Sequence, residues 1–381
     1  MNTSIQHSAR GFKSQLAEHA LEVEASGMVA PQTLQELRSA GLLNLLSPKC
    51  YKGSELGFAS VLAATSELAE GCMSTAWVAT VGLVHNWMAT GFSEAAQHEY
   101  FADPDVYSAA SFAPTGRAYM TQAGFTVTGR WGFLSGVDHA NWAFVAALVD
   151  KDENFPDRQA GPWFMMVPIE DLQIDHDSWN VSGLRGTGSK DVVLEDVHIP
   201  FHRAAFLPHL STGKGPGVHL HEGATFKTPF QPALIAVLAI PILGASKMAV
   251  KAFTDYTAGR VMKMTGAKQA EQTPTQILLA HVSAKVDTAE LIMHKIMETL
   301  DSGLLRTPAD FAKINRDAAF AATLMQEAVN QIMANSGGSA LQETNVIQRI
   351  WRDVNAACNH AALNWSTQAQ NWGRMALENN D

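Results

Sequence analysis

The chain has 381 residues, 46% hydrophobic and 17% charged, the composition of a soluble globular protein large enough for two or three domains. A formal net charge of −10, with no Lys/Arg run to offset it, argues against a nucleic-acid partner. Three cysteines, Cys50, Cys72 and Cys358, without a Cys-x-x-Cys pair, exclude a disulfide scaffold and a zinc ribbon and suit a reducing cytoplasm.

The N-terminus has no apolar stretch of the signal-peptide kind, and the longest apolar run, residues 233–245, contains Pro241 and is too short to span a bilayer. A cytoplasmic protein without membrane association is therefore expected. Residues 8–100 have helical patterning. Leu16, Ala20 and Val23 recur at helical spacing, and Pro31 and Gly41 bracket the next segment. Residues 58–69 and 74–90 read as apolar helices and 94–100 as a short acidic one. In EGCMSTAW (70–77), Ser74 and Thr75 are suited to cap the second apolar helix.

From about residue 104 the period changes. VYSAASF, GFTVTGRWGFLSG, WAFVAALV, WFMMVPI and VVLEDVHIP are short β-rich runs between Gly, Pro and Asp turns, predicting a compact β-barrel or sandwich. The connector 201–229 holds His202, His209, His219 and His221. No carboxylate or thiolate cluster accompanies them, so a solvated or interface loop is expected there and no metal site. From residue 232 the pattern is helical again. Leu278, Val282, Val286, Ala289, Ile292, Ile296 and Leu300 keep a three-to-four spacing, as do Phe320, Leu324, Ala328 and Ile332, and both stripes suit bundle core. Ser336-Gly337-Gly338 precedes a last helix over about 345–373. The chain thus divides into a helical block at 1–103, a β-block at 104–210, and a connecting loop with a helical bundle at 211–381.

Two stretches in the β-block are candidates for chemistry. TGRWGFLSGVDHANW (128–142) reads as a strand carrying Trp131 and Phe133, broken at Ser135-Gly136 and followed by a polar turn with His139. Glycine there lets backbone approach a planar ligand, and Ser135 offers a hydroxyl and an N–H. GLRGTGSKDVVLEDVHIP (183–200) opens Gly-rich, but Gly188 is followed by Ser189-Lys190 and a strand, unlike a phosphate loop. Asp191 stands where a dinucleotide fingerprint needs its last Gly. No nicotinamide-binding unit is visible elsewhere.

In this order and at this distance, the two stretches resemble the middle β-domain of the acyl-CoA dehydrogenase superfamily, a resemblance covering about residues 15–370. It implies an N-terminal helical domain, a middle β-domain and a C-terminal four-helix bundle, with flavin between the last two. YTAGRVMKMTGAKQAEQTPTQILLAHVSAKV (256–286) resembles the superfamily's helix whose Arg approaches the flavin of a neighbouring subunit. Arg260 is the matching position, and a homotetramer with dihedral symmetry is implied. Many acyl-CoA dehydrogenases follow an Arg-Asp pair with Tyr-Glu-Gly-Thr, whose Glu removes the substrate α-proton. Here Arg352-Asp353 leads by that spacing to His360 and Ala361, so the carboxylate is missing at that place.

Arg-Asp-x6-His with WGFLSG and EGCMSTAW instead resembles the flavin-dependent monooxygenases of the same fold. These are oxygenase components of two-component systems such as 4-hydroxyphenylacetate, steroid-phenol and indole hydroxylases. The resemblance implies reduced flavin (FADH2 or FMNH2) from a separate NAD(P)H:flavin reductase and dioxygen as co-substrate. It further implies hydroxylation of a small phenolic or indolic ring through a C4a-hydroperoxide. Catalytic roles fall on His85, Ser111, Ser135 and His360, and flavin contacts on Trp131, Phe133, Ser135, Gly136, Lys227, Phe230 and Arg260. Lys227 in FKTPF stands where Arg is usual, and Asn355 where many relatives have His. Serine hydroxyls offer neutral hydrogen bonds to such chemistry, and histidine handles a phenol or indole proton near neutral pH. Trp77, Trp87, Trp131 and Phe230 suit either a pocket wall or core. A flavin oxidase or dehydrogenase acting on an acyl thioester or nitroalkane, and a non-catalytic scaffold, are the alternatives.

Overall fold

The structure, a computed structural model, describes residues 2–156, 158–262 and 265–378. It opens with helices α1 (Asn2–Gly11), α2 (Lys13–Ser26), α3 (Pro31–Ser39), α4 (Phe58–Gly71), α5 (Met73–Ala89) and α6 (Glu94–Tyr100). Helix α2 buries Leu16, Ala20 and Val23, and α3 starts with Pro31 at its first turn, where the missing N–H costs nothing. Every residue of α5 is buried, as expected of a helix apolar on all sides. Ser74 and Thr75 do not cap it. Extended Cys72 is shared as the last cap of α4 and the first of α5, which places both hydroxyls inside the first turn.

Seven strands follow: β1 (Ser108–Met120), β2 (Gly124–Leu134), β3 (Trp142–Val149), β4 (Gly161–Pro168), β5 (Gln173–Asp175), β6 (Lys190–Pro200) and β7 (Ala204–Phe206). They form one sheet, in the order β5-β6-β2-β1-β3-β4-β7, which builds the expected middle β-domain. The three-residue strands β5 and β7, too short to carry a sequence period, close its two edges. Alternation along β3 and β4 divides the interior in two. Phe144, Ala146, Phe164 and Met166 join the core built by the helices, whereas Val145, Ala147, Met165 and Val167 join a second core on the opposite face.

After α7 (Leu207–Ser211) come α8 (Phe230–Val237), α9 (Ala239–Ala258), α10 (Thr273–Asp301), α11 (Pro308–Asn335), α12 (Val346–Cys358) and α13 (Trp365–Glu378). The apolar α8–α9 stretch is core: Ala239, Ile240, Ile242 and Ala245 are fully enclosed, packed with the N-terminal helices in one cluster. The connector is pinned by its histidines, His202 Nε2 lying 2.9 Å from Glu99 and His221 Nε2 2.7 Å from Gln97 Oε1.

Three helical expectations change. Residues 256–286 are not one helix, because α9 stops at Ala258 and the chain turns through Gly259 and left-handed Gly266 before α10 begins. The expected last helix is two, α12 and α13, interrupted at His360. Phe320 faces outward, 40% exposed, against Trp365. Helices α4 and α9 approach so closely that a Cβ on Gly244 would collide with the Ser66 carbonyl oxygen. Gly244→Ala should therefore lower the free energy of unfolding by ~1–3 kcal/mol. Gly259→Ala, with no neighbouring atom within 4 Å of the new methyl, should stay within about 0.5 kcal/mol of wild type. Chemical denaturation of both variants measures the contrast.

Candidate active site

Where β2 ends, its pairing with β6 slips between Trp131 and Leu134. Phe133 takes a left-handed conformation (φ 65) and projects from the surface, 74% exposed and edge-on to Trp179. Gly136 is also left-handed (φ 72), and a Cβ there would strike the Tyr107 hydroxyl, which donates to Val78 O of α5. Between these lies half-buried Ser135. Trp77 Nε1 of α5 donates to Ser135 Oγ at 3.1 Å, and Ser135 Oγ lies 2.8 Å from Ser189 Oγ. Ser189 Oγ in turn is 2.7 Å from Thr187 Oγ1, which donates to Leu184 O at 2.8 Å. The Gly136 N–H donates to Thr187 O. The two stretches singled out in the sequence thus meet through a chain of hydroxyls.

The 182–189 turn is held from α12. Buried Asp353 Oδ1 accepts the Leu184 N–H at 2.6 Å, stabilising a left-handed residue (φ 54) that carries a side chain. Arg352 Nη1 donates to Ser182 O at 2.8 Å and pairs with Glu24, and at Gly183 a Cβ would run into the Arg352 carbonyl. Burial pushes the Asp353 carboxyl up to about 6, against the Leu184 N–H, which favours the charged form.

The same helix leads to His360. The ring lies in the break after α12, where its Nδ1 accepts the Ala362 N–H at 3.2 Å. The neutral ring therefore carries its proton on Nε2. The residue is exposed, 6.4 Å from the Trp77 ring, and the protein around it lowers its pKa by desolvation. His85 has the opposite polarity. Its Nδ1 lies 2.7 Å from Ser108 O, which can only accept, so Nδ1 holds the proton and Nε2 presents a lone pair. Burial lowers its pKa to about 4. Tyr100 donates to Asn86 Oδ1 and so accepts from Ser108 Oγ, 2.7 Å away, which fixes the carbonyl beside His85.

Ser111 is 8% exposed and sits where β1 loses register with β3. Its cross-strand partner is Val145, so it faces the second core, away from His85. On the other face Phe112 stacks on Phe164 at 4.8 Å, Phe164 on Phe144 at 5.6 Å, and Phe144 lies 6.2 Å from His85. An aromatic file thus runs from the surface to that imidazole. The remaining candidates are dispersed. Trp131 is fully enclosed, fills the hollow left by Gly116 and Gly129, and donates to Ala146 O, so its indole has no surface to offer. Phe230 is 4% exposed against Trp87. Lys227 is exposed. Arg260 donates to Ser336 O within its own chain and lies over the Tyr256 ring.

Comparisons with known proteins identify the family. The family described as "Acyl-CoA dehydrogenase, N-terminal domain" matches residues 2–104, and "Acyl-CoA dehydrogenase, C-terminal domain" matches 236–365. The oxygenase component of an FADH(2)-dependent resorcinol hydroxylase from Rhizobium sp. (strain MTP-10005) is 31% identical over 375 residues, covering 94% of this chain and 90% of that protein. The oxygenase subunit HsaA of a flavin-dependent monooxygenase from Rhodococcus jostii (strain RHA1) is 31% identical over 353 residues, covering 91% of each. The chain belongs to the acyl-CoA dehydrogenase family, in its flavin-dependent monooxygenase branch. Among solved structures, 3-HSA hydroxylase from Rhodococcus sp. RHA1 superposes with a TM-score of 0.91 at 29% identity, covering 98% of this chain and 97% of that one. XiaF from Streptomyces sp., in complex with FADH2 and glycerol, gives 0.88 at 26%, covering 98% and 94%.

The residues of this family member suit a flavin at the end of β2. An exposed aromatic side chain, a glycine backbone and a half-buried hydroxyl match the flat apolar face and polar edge of an isoalloxazine. Ser189, Thr187 and Leu184 escape a sequence reading because GTGS attracts attention for its glycines. The hydroxyls in the same four letters were the available signal. Asp353→Ala should cost about 1–3 kcal/mol by leaving the Leu184 N–H unpaired, whereas Asp353→Asn keeps an acceptor. The folded carboxyl holds a proton that the unfolded chain releases between pH 3.8 and about 6, so this contribution to stability falls as pH rises through that window. His85 works in the other direction: the stability it contributes above pH 6.5 is lost as pH falls toward about 4. Subtracting the unfolding free energy of Asp353→Asn from that of wild type across pH 4–6 isolates the carboxyl, and the difference should decline with rising pH.

Proposed function

We propose that the chain is the oxygenase component of a two-component monooxygenase. It would take reduced flavin, FADH2 or FMNH2, from a separate NAD(P)H:flavin reductase and hydroxylate a small phenolic or indolic ring with dioxygen. The observation that carries this is the polarity of the site: neutral hydroxyls and two histidines with fixed, opposite tautomers, and Ala361 at the place of a dehydrogenase's carboxylate. Relatives named for resorcinol, p-hydroxyphenylacetate and indole-3-acetate support the substrate class. Bound reduced flavin supplies the two electrons that activate dioxygen, one oxygen atom passing to the ring and the other leaving as water.

The side chains divide the remaining work. Phe133, Ser135 and Gly136 seat the flavin. His85, neutral throughout the physiological range, accepts a substrate O–H or N–H through Nε2, beside the aromatic file. His360 donates through Nε2–H and orients the ring oxygen. The carbon surfaces of Phe112, Phe144 and Phe164 exclude water from the path to His85. Arg260 reaches the flavin of a neighbouring copy in a dihedral homotetramer, for which the exposed Ile277 and Leu291 of α10 provide an apolar face. The protein works in the cytoplasm, consistent with three unpaired cysteines.

With NADH, oxidised flavin and dioxygen the isolated chain should not oxidise NADH. Adding an NADH:flavin reductase should start oxygen uptake and, with a phenolic substrate, ring hydroxylation. Steady NADH oxidation by the chain alone overturns the two-component assignment. His360→Ala should retain reduced-flavin binding while hydroxylated product per NADH falls ~10- to 100-fold and hydrogen peroxide rises correspondingly. Product and peroxide assays on one reaction mixture check both. Light scattering at micromolar protein should give a tetramer, and a monomer would remove Arg260 from the site.

A further inference from the structure

The hydroxyl chain beneath Ser135 admits one complete set of hydrogen positions. Leu184 O can only accept, so the Thr187 hydroxyl proton, 2.8 Å away, belongs to that bond. Thr187 Oγ1 then accepts from Ser189, and Ser189, its single proton committed, accepts from Ser135. Trp77 Nε1 is a donor only, and it also points at Ser135 Oγ. The Ser135 proton is thus directed inward, and only a lone pair remains for a ligand. Reversing the chain would turn the Thr187 proton from Leu184 O to Ser189, losing one internal bond where Thr187 and Ser189 are 2% and 4% exposed, with Leu184 O left only the Thr187 N–H at 3.1 Å. Neither adjacent backbone N–H is a substitute donor. The Ser135 N–H bonds Phe133 O and the Gly136 N–H bonds Thr187 O.

We propose that Thr187 and Ser189 are positioning residues that hold Ser135 as a hydrogen-bond acceptor, and that this polarity selects reduced over oxidised flavin. The inference rests on the function proposed above, with Ser135 at the N5 edge of the flavin. Reduced flavin carries an N–H at N5, which an acceptor satisfies. Oxidised flavin carries only a lone pair there, which faces the Ser135 lone pair with nothing between them. A protein supplied by a separate reductase benefits from this bias, because it does not retain the form that the reductase must take back.

The test is the ratio of dissociation constants for oxidised and reduced FMN and FAD, measured by titrating the full chain aerobically and anaerobically. Wild type should prefer the reduced form. Ser189→Ala frees the Ser135 proton to turn toward oxidised N5, so oxidised flavin should bind ~10-fold more tightly while reduced flavin changes little. Thr187→Val should act in the same sense, because Ser189 then donates to Ser135 and releases its proton outward. Thr187→Ser, which keeps the hydroxyl, should restore the wild-type ratio. A general loss of structure would weaken both forms together, and that outcome, or an unchanged ratio in both Ser189→Ala and Thr187→Val, overturns the inference while leaving the function standing. A wild-type chain that binds neither form overturns the proposed function and this inference with it.

Discussion

The hydrogen bond from the Leu184 N–H to Asp353 joins two regions 169 residues apart in sequence. Leu184 has a left-handed backbone that a residue with a side chain adopts only under constraint, and the constraint is a carboxylate buried in the middle of α12. From that bond the turn runs to Thr187 and Ser189, whose hydroxyls set Ser135. Forward from it, α12 runs to His360. The Arg-Asp pair is therefore the mechanical joint between the helical bundle and the sheet. Burial of its carboxylate is unfavourable by itself and is sustained by a backbone donor and the neighbouring Arg352.

Around this joint, polar groups are fixed in direction as well as in place. A carbonyl can only accept and an indole N–H can only donate, so each chain of hydrogen bonds that ends on one of them has a determined sense. Ser108 O sets the tautomer of His85, the Ala362 N–H sets that of His360, and Leu184 O sets the hydroxyls under Ser135. Two histidines that look equivalent in the sequence present opposite faces to a ligand, one a lone pair and the other a proton. Chemistry with a reactive oxygen species favours such groups, which bind and orient without offering a strong acid.

The aromatic residues divide along the same lines. Trp131, Trp87 and Phe230 are enclosed and hold elements together. Phe133 and Phe112 reach the surface at irregularities in strand pairing, where a side chain is released from the sheet. Strand alternation sends Phe144 and Phe164 to the face shared with the helices, which builds an aromatic file beside His85 out of core material.

Much of this was legible in the sequence. Helical spacing in Leu16, Ala20 and Val23, and in Val282, Val286 and Ala289, marks helices that bury those residues, because a 3.6-residue period and a single buried face are local properties. The β-block shows in its short alternating runs, and the fold and family in the resemblance carried by WGFLSG, GLRGTGSKDV and Arg-Asp-x6-His. Tertiary structure decided what depends on contacts between distant segments. It set the single sheet with its short edge strands, the break of the last helix at His360, and the enclosure of Trp131 and Phe230, which no period distinguishes from pocket aromatics. Above all it decided the sense of each hydrogen bond. A serine or histidine in a sequence is both donor and acceptor, and only the partner brought to it by the fold removes one of the two.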